Sequence, residues 1–494
     1  MGPALVRPDS EDCRVPRRHY RRRNPEATIL HQVLRDHLEP FLAGQRARGV
    51  ALPRFVEREL HASLECGDLT RGFLRVHCEG CGDDLLVAFS CKSRAACPSC
   101  ATRRMEDGAA FLSERVLPDV PYRQWVMSFP RRLRLALALD AVLTTRVLAI
   151  TLRAIFAWQR RRARRLGWRL SRTGAVTFIQ RFSSALRLNV HFHCLVPDGV
   201  FAAESPVAGG SSFLALPPPC NEEVEAINRK IARKTLLLFR SIDPAERRID
   251  DDALERLYGA ALQPPRPSFH LLAPRPRCSS LEGFSLHADV RVAAGDRGRL
   301  ERVCRYSLRP PLAHERLERL PSGHLAYRMK RIGPDGATHR VMSPLEFLSA
   351  LASLVPPPRV HLTRYHGVFA PHARDRSSVR DASDPTLVGA QQSATAVDSP
   401  SSNGPLPTTS SEVPSPSCGG IPAGVAYRRR WAELLRKVFA IDIFLCDRCG
   451  SRRRIVAAIT QPDVADAILR CLGPFGVRKP ARAPPTTAAH SVEP

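Results

Sequence analysis

The sequence predicts an α+β fold with a small cysteine-rich domain near the N-terminus, and three observations favour it. The run Val190–Val196 has the continuous apolar character of a buried strand. Residues 27–46 and 133–166 place apolar side chains at helical spacing. Two C-x-x-C pairs stand at 78–81 and 97–100.

Composition indicates several domains and a polyanionic partner. The chain has 494 residues, which is typical of about three domains. It carries 75 Lys and Arg against 48 Asp and Glu, a net charge of +27. A protein this basic is expected to bind nucleic acid, whereas a basic surface without a specific partner is the alternative.

Changes in composition divide the chain into six predicted segments. They are a basic disordered arm (1–25), a helical and four-cysteine domain (26–118), a catalytic domain (119–373), a disordered Ser/Pro-rich linker (374–425), a small C-terminal C-x-x-C module (426–475) and a disordered tail (476–494).

The sequence favours a cytoplasmic protein. No apolar signal segment follows Met1. The apolar run Leu133–Ile155 is interrupted by four charged residues, so we predict a soluble helix there and no membrane span. Several of the 15 cysteines form C-x-x-C pairs, which in a reducing compartment are typical of metal ligands.

The pairs Cys78/Cys81 and Cys97/Cys100 predict one closed, tetrahedral, structural zinc site in a zinc-ribbon-like domain. A cluster of free or redox-active thiols is the alternative. Cys66 and Cys91 are left over and are interpreted as small core residues.

The C-terminal module has a single pair, Cys446 and Cys449, which is half of a possible second zinc site. Cys471 or a partner chain would have to complete that site.

His191 and His193 are separated by one residue in a predicted strand. They therefore share one face, about 6–7 Å apart along the strand, and two imidazoles so placed can bind one metal ion. The alternative is a polar strand face with ordinary histidines.

A third metal ligand is predicted at His287, on the alternating strand 284–292. Gln180 and Asp198 are the rival ligands, and a surface histidine without a role is the remaining interpretation. Oxygen ligands favour Mg²⁺, whereas three histidines would favour Mn²⁺ or softer metals.

Tyr306 lies late on a helix that Asp296 opens, with Arg305 and Arg309 beside it. Position alone favours a core tyrosine. A second arginine group, Arg160, Arg161 and Arg162 with 164–165, exceeds what a helix C-terminus needs and predicts phosphate binding, with a solvated face as the alternative.

Taken together, segments of the chain resemble the insertion-sequence-91 family of rolling-circle transposases. The similarity covers roughly residues 26–373 and 428–472, and the segments that carry it are RFVEREL, CPSC, QWVMSFP, GAVTFIQRF, NVHFHCLVPDGVF, SLHADV, CRYSLRPPL and RYHGVFAPH.

The resemblance implies an HUH-endonuclease-like antiparallel sheet, with Tyr306 as the nucleophile and His191 and His193 as ligands of Mg²⁺ or Mn²⁺. It implies a 5′-phosphotyrosine intermediate on single-stranded DNA, in element ends and target, with host replication factors as candidate partners and a nucleoid-associated location. Some relatives carry two tyrosines four residues apart, but here Arg302 stands four residues before Tyr306, which leaves the second cleavage open.

Two other functions remain as alternatives. A rolling-circle replication initiator or relaxase would share the chemistry without mobilising an element. A non-catalytic zinc-ribbon DNA-binding protein would share only the binding.

Overall fold

The computed structural model describes residues 24–49, 51–202, 213–242, 252–262, 276–330, 332–333, 336–374, 376–380 and 442–472. Nearly all of the predicted arm, most of the predicted linker, the first part of the predicted C-terminal module (426–441) and the tail lie outside the described residues.

The described helices and strands are as follows. The helices are α1 (Ile29–Ala47), α2 (Arg54–Leu64), α3 (Pro98–Phe111), α4 (Arg131–Leu139), α5 (Ala141–Arg165), α6 (Asn221–Arg240), α7 (Asp252–Ala260), α8 (Arg297–Leu308), α9 (Pro344–Leu354), α10 (Arg376–Arg380) and α11 (Pro462–Leu472). The strands are β1 (Phe73–Cys78), β2 (Asp84–Ala88), β3 (Tyr122–Ser128), β4 (Ser171–Arg172), β5 (Gly174–Phe182), β6 (Leu188–Pro197), β7 (Gly199–Ala202), β8 (Phe213–Ala215), β9 (Cys278–Leu281), β10 (Phe284–Val292), β11 (Leu317–Arg319), β12 (Leu325–Arg328), β13 (His339–Met342), β14 (Thr363–Gly367) and β15 (Arg453–Ile459).

A six-stranded antiparallel sheet forms the centre of the protein, in the order β14-β5-β6-β3-β10-β9. The predicted α+β class is therefore confirmed. Strands β5 and β6 are buried along almost their whole length, which explains their continuous apolar sequence.

Helices cover both faces of this sheet. Because successive side chains of a strand point to opposite faces, Trp125 and Phe192 lie on one face and Tyr122 and Leu195 on the other. The first face belongs to a core that it shares with α1, α2, α4, α5, α6, α7 and α9, and the second to a core that it shares with α3 and α8. Helices α1 and α2, which we assigned to the cysteine-rich domain, thus share the core of the central sheet.

Helix α5 is long and apolar enough to cross a membrane, but it is a core helix of this fold. Its Trp158 packs edge-on against Trp125 of β3, with ring centroids 5.7 Å apart. The Asp140 side chain caps its first turn by accepting hydrogen bonds from Val142 N and Leu143 N, which also separates it from α4.

A second, three-stranded sheet has the order β15-β1-β2, so it places a strand near the C-terminus beside two strands of the N-terminal region. Strand β15 pairs antiparallel with β1, from Phe73 opposite Ile459 to Cys78 opposite Arg453. Residues 442–472 therefore do not form the separate module that we predicted, because their strand completes the N-terminal sheet. Helix α11 packs there through Ala465, beside Phe73 and Leu86.

A buried ion pair joins three strands of the central sheet. The Arg123 guanidinium on β3 donates two hydrogen bonds to the Asp198 carboxylate at the end of β6, at 2.9 and 2.7 Å. A third bond reaches Ala288 O on β10 at 2.8 Å. Arg291 contacts the same carboxylate at 3.7 Å from a side chain that is 60% exposed.

We expect Arg123→Ala to lower the free energy of unfolding by about 3 kcal/mol or more, because it leaves the Asp198 carboxylate buried with only a distant cation. Urea denaturation of the purified protein measures this. Arg291→Ala is the matched control and should cost less than about 1 kcal/mol, since the Arg291 side chain is exposed and 3.7 Å from a carboxylate that keeps Arg123. Equal losses for the two variants would show that burial does not decide the strength of this pair.

Candidate functional site

The two histidines of the H-x-H motif lie in the middle of the central sheet. His191 is opposite Ser128 of β3 and Gln180 of β5, and His193 is opposite Val126 and Phe178. Both side chains point to the face covered by α8, and their ring centroids are 4.9 Å apart. They are 8% and 4% exposed, so the sheet holds both imidazoles out of bulk water.

The hydrogen bonding of these imidazoles suits metal binding. His191 Nδ1 lies 2.8 Å from the Asn189 carbonyl oxygen, which can only accept, so Nδ1 carries the proton and Nε2 keeps its lone pair. Neither ring nitrogen of His193 has a hydrogen-bond partner. Burial lowers the pKa of His191 to about 4 and that of His193 well below its usual range, so both are neutral at pH 7.

Helix α8 brings Tyr306 to this face of the sheet. Asp296 caps the helix, its carboxylate accepting from Arg299 N at 2.9 Å. Near its C-terminal end, Gln180 Nε2 donates to Ser307 O at 2.7 Å and Gln124 Nε2 donates to Ser307 Oγ at 2.9 Å. The Tyr306 ring lies edge-on to His193, with centroids 5.9 Å apart, and the side chain is 46% exposed.

Two cations flank the Tyr306 ring. The Arg309 guanidinium carbon lies 4.1 Å from the ring centroid and Lys330 Nζ lies 5.3 Å from it. Arg309 is half-buried, and the resulting desolvation lowers its pKa. Arg305, by contrast, is paired with Glu106 of α3 at 3.4 Å, which ties α8 to the helix that follows the cysteine cluster.

The structure does not bring His287, the predicted third ligand, together with His191 and His193. His287 shares the face of the other two histidines, but it is opposite Val126, and β3 therefore stands between β10 and β6. Two strand spacings are about 9.5 Å. The ligand atoms of His287, His191 and His193 accordingly do not all lie within 4.8 Å of one another.

Of the two rival ligands, the structure favours Gln180. Its Oε1 is buried without a hydrogen-bond partner, on the strand position opposite His191. Asp198 is engaged by Arg123 instead.

The predicted grouping of the cysteines is wrong. Among the described residues, the structure forms two clusters of four thiols, in each of which all sulfur atoms lie within 4.8 Å of one another: Cys66, Cys91, Cys97 and Cys100, and Cys78, Cys81, Cys446 and Cys449. The two C-x-x-C pairs belong to different clusters because they lie in different elements. Cys97 and Cys100 lie at the beginning of α3, whereas Cys78 and Cys81 lie in the turn after β1, beside strand β15.

Cys66 and Cys91, which we interpreted as spare core residues, thus belong to the first cluster. Cys471 is exposed on α11 and is outside both clusters, so it does not complete a site with Cys446 and Cys449.

The α5 arginines that we predicted to bind phosphate lie apart from the arginines beside Tyr306. Arg160, Arg161 and Arg162 are on α5, which covers the opposite face of the sheet from Tyr306. Arg162 pairs with Glu223 of α6 at 2.7 Å, and Arg160 contacts Thr173 Oγ1 at 3.4 Å. A cavity of about 260 Å³ opens between α5 and α6, lined by Trp158, Arg161, Arg162, Arg165, Glu223 and Lys230.

Two models of known protein families match the chain. Residues 174–377 match the family model Y2_Tnp, described as "Putative transposase", and residues 33–129 match a model described as "Transposase zinc-binding domain". No curated protein and no solved structure matches the chain. The first match contains the H-x-H strand and helix α8, and the second contains Cys66, Cys78, Cys81, Cys91, Cys97 and Cys100. The chain therefore belongs to the insertion-sequence-91 family of transposases, DNA-binding proteins with a zinc-binding domain before the transposase domain.

Proposed function

We propose that this transposase nicks and rejoins single-stranded DNA through a 5′-phosphotyrosine at Tyr306, and so mobilises an insertion sequence by a rolling-circle-like route. The observation that carries the proposal is the position of Tyr306: an accessible phenol whose ring is 5.9 Å from that of a buried, unpartnered histidine. An accessible nucleophile beside a metal-binding pair is what phosphodiester cleavage requires.

The other described tyrosines are less suited to this role. Tyr122, Tyr258 and Tyr327 are fully buried, and their hydroxyls donate to the backbone oxygens of Pro118, Val355 and Pro311. Tyr365 is half-buried in the edge strand β14, and burial raises the pKa of its phenol. Within the described part of the chain, Tyr306 is the one exposed tyrosine.

The donor set fits a divalent metal ion. His191 Nε2, one nitrogen of His193 and Gln180 Oε1 are the groups that would hold it, since each is available for a lone-pair contact. Such an ion supplies charge neutralisation at a phosphate oxygen. A mixed nitrogen and oxygen set accepts Mn²⁺ and Mg²⁺.

Tyr306 Oη forms a bond to phosphorus while the bond between phosphorus and the 3′ oxygen breaks. The phenol loses its proton to solvent, and the 3′ oxygen leaves as a hydroxyl after taking up a proton. Arg309 and Lys330 place positive charge beside the nucleophile, which favours binding of the phosphate. One phosphodiester replaces another, so the 3′ hydroxyl can reverse the step and rejoin strands.

In this proposal, Arg309 and the arginines of α5 contact different parts of the DNA. Arg309 lies at the scissile phosphate, and Arg305 holds α8 to α3 through Glu106. The α5 group, on the far face of the sheet, binds flanking DNA through phosphate contacts.

The test is incubation of the purified protein with labelled single-stranded element ends and Mn²⁺ or Mg²⁺. We expect a covalent protein–DNA adduct that survives denaturation, together with a free 3′ hydroxyl fragment. DNA binding without any adduct would favour the non-catalytic alternative. Cleavage that is not linked to the ends of a mobile element would favour the replication initiator or relaxase.

A further inference from the structure

We propose that the chain binds two structural zinc ions, and that the second, held by Cys78, Cys81, Cys446 and Cys449, joins the C-terminal segment to the N-terminal zinc-binding domain. This inference does not depend on the cleavage chemistry. It rests on backbone geometry, sulfur positions and the contacts around the cluster.

The two cysteine turns of this cluster have the same backbone geometry. In the first, Gly82 N donates to Cys78 O at 2.9 Å and Cys78 N donates to Asp83 O at 2.9 Å. In the second, Gly450 N donates to Cys446 O and Cys446 N donates to Ser451 O, at 2.9 and 2.8 Å. Gly82 and Gly450 both have positive φ, +70° and +72°. Two matching C-x-x-C-G turns that face each other are a common way of presenting four thiolates to zinc.

The sulfur positions fit one ion. Cys78 Sγ lies 3.5 Å from Cys449 Sγ, and Cys81 Sγ lies 3.6 Å from Cys446 Sγ. A tetrahedral site with Zn–S bonds of about 2.3 Å has sulfur–sulfur edges of about 3.8 Å. Cys78 and Cys446 are buried, and Cys81 and Cys449 are exposed, so one side of the cluster is open to solvent.

Contacts around the cluster hold the two turns together. Arg453, with a side chain only 2% exposed, donates to Asp83 of the first turn at 2.9 Å and to Asp447 of the second at 2.7 Å. Arg448 reaches Asp83 at 3.3 Å. A charged side chain is rarely buried unless it is paired, so this arginine is placed to fix the relative position of the turns.

Zinc analysis of the full-length protein tests the proposal directly. We expect two zinc ions per wild-type chain and one in the double variant Cys446→Ser/Cys449→Ser, which leaves the first cluster intact. Cys471→Ser is the matched control and should keep two. One zinc per wild-type chain, two in the double variant, or a disulfide within this cluster would overturn the proposal.

Alkylation of the native protein, mapped by mass spectrometry, distinguishes the ligand sets. In the wild type, the exposed Cys220 and Cys471 should react, whereas the equally exposed Cys81 and Cys449 should be protected until a chelator removes the metal.

In the single variant Cys446→Ser, we expect Cys78, Cys81 and Cys449 to become reactive together, while the first cluster stays protected. If Cys78 and Cys81 instead shared an ion with Cys97 and Cys100, they would stay protected in this variant. Rapid labelling of Cys81 in the zinc-loaded wild type would also contradict the proposal.

Discussion

Tyr306→Phe is expected to abolish the covalent protein–DNA adduct while changing the affinity for single-stranded DNA by less than about twofold. The substitution removes only the hydroxyl, and the ring can keep its edge contact with His193 and its contact with Arg309. Denaturing gel electrophoresis of labelled DNA measures the adduct, and fluorescence anisotropy without metal measures binding.

Tyr365→Phe is the control, because it removes a hydroxyl from the strand at the edge of the same sheet. It should keep the adduct. An undiminished adduct in Tyr306→Phe, or its loss in Tyr365→Phe alone, would move the nucleophile away from α8.

His193→Ala is expected to lower the rate of adduct formation by about a hundredfold or more, because a metal at the phosphate contributes several kcal/mol to such reactions. Binding of Mn²⁺, followed by its electron paramagnetic resonance signal, should weaken in parallel.

His287→Ala is the matched control for that variant, since it removes an imidazole from the same sheet face one strand beyond β3. We expect its Mn²⁺ titration to match that of the wild type. A weaker titration in His287→Ala than in His193→Ala would restore His287 to the metal site and exclude the ligand set that we propose.

The elements of the candidate site could be predicted from the sequence because each is locally encoded. The apolar run around the histidines specifies a central strand, and period-two alternation puts both imidazoles on one face. Asp296 marks the beginning of the tyrosine helix, and its carboxylate does cap it. The contact between the Tyr306 ring and the His193 imidazole depends on how α8 crosses the sheet, and the local sequence pattern does not specify that crossing.

The distance of His287 from the histidine pair could not be predicted, because strand order is a long-range property. Alternation places His287 on the correct face, but only the insertion of β3 between β10 and β6 decides its distance from the pair. Gln180 is the better-placed candidate because its strand, β5, pairs directly with β6, with no strand between them.

The cysteine pairs were misassigned because nearness in sequence was taken as nearness in space. One local signal could have corrected the assignment. Cys81 and Cys449 are each followed by glycine, as the tight turn requires, whereas Cys100 is followed by Ala101 and Pro98 begins a helix. Matching the pairs by turn type, and not by spacing, groups Cys78 and Cys81 with Cys446 and Cys449, as in the structure.

The pairing of β15 with β1 also determines when this protein can finish folding. Cys81 and Cys446 are 365 residues apart, so the ribosome needs about 20–70 s, at about 5–20 residues per second, to supply the partner of a turn already made. During that interval one edge of β1 has no strand to pair with, and the thiols of Cys78 and Cys81 lack the other two thiols of their cluster. A nascent chain is therefore exposed to mispairing until residues 446–459 have been made and complete a sheet begun by residues 73–88.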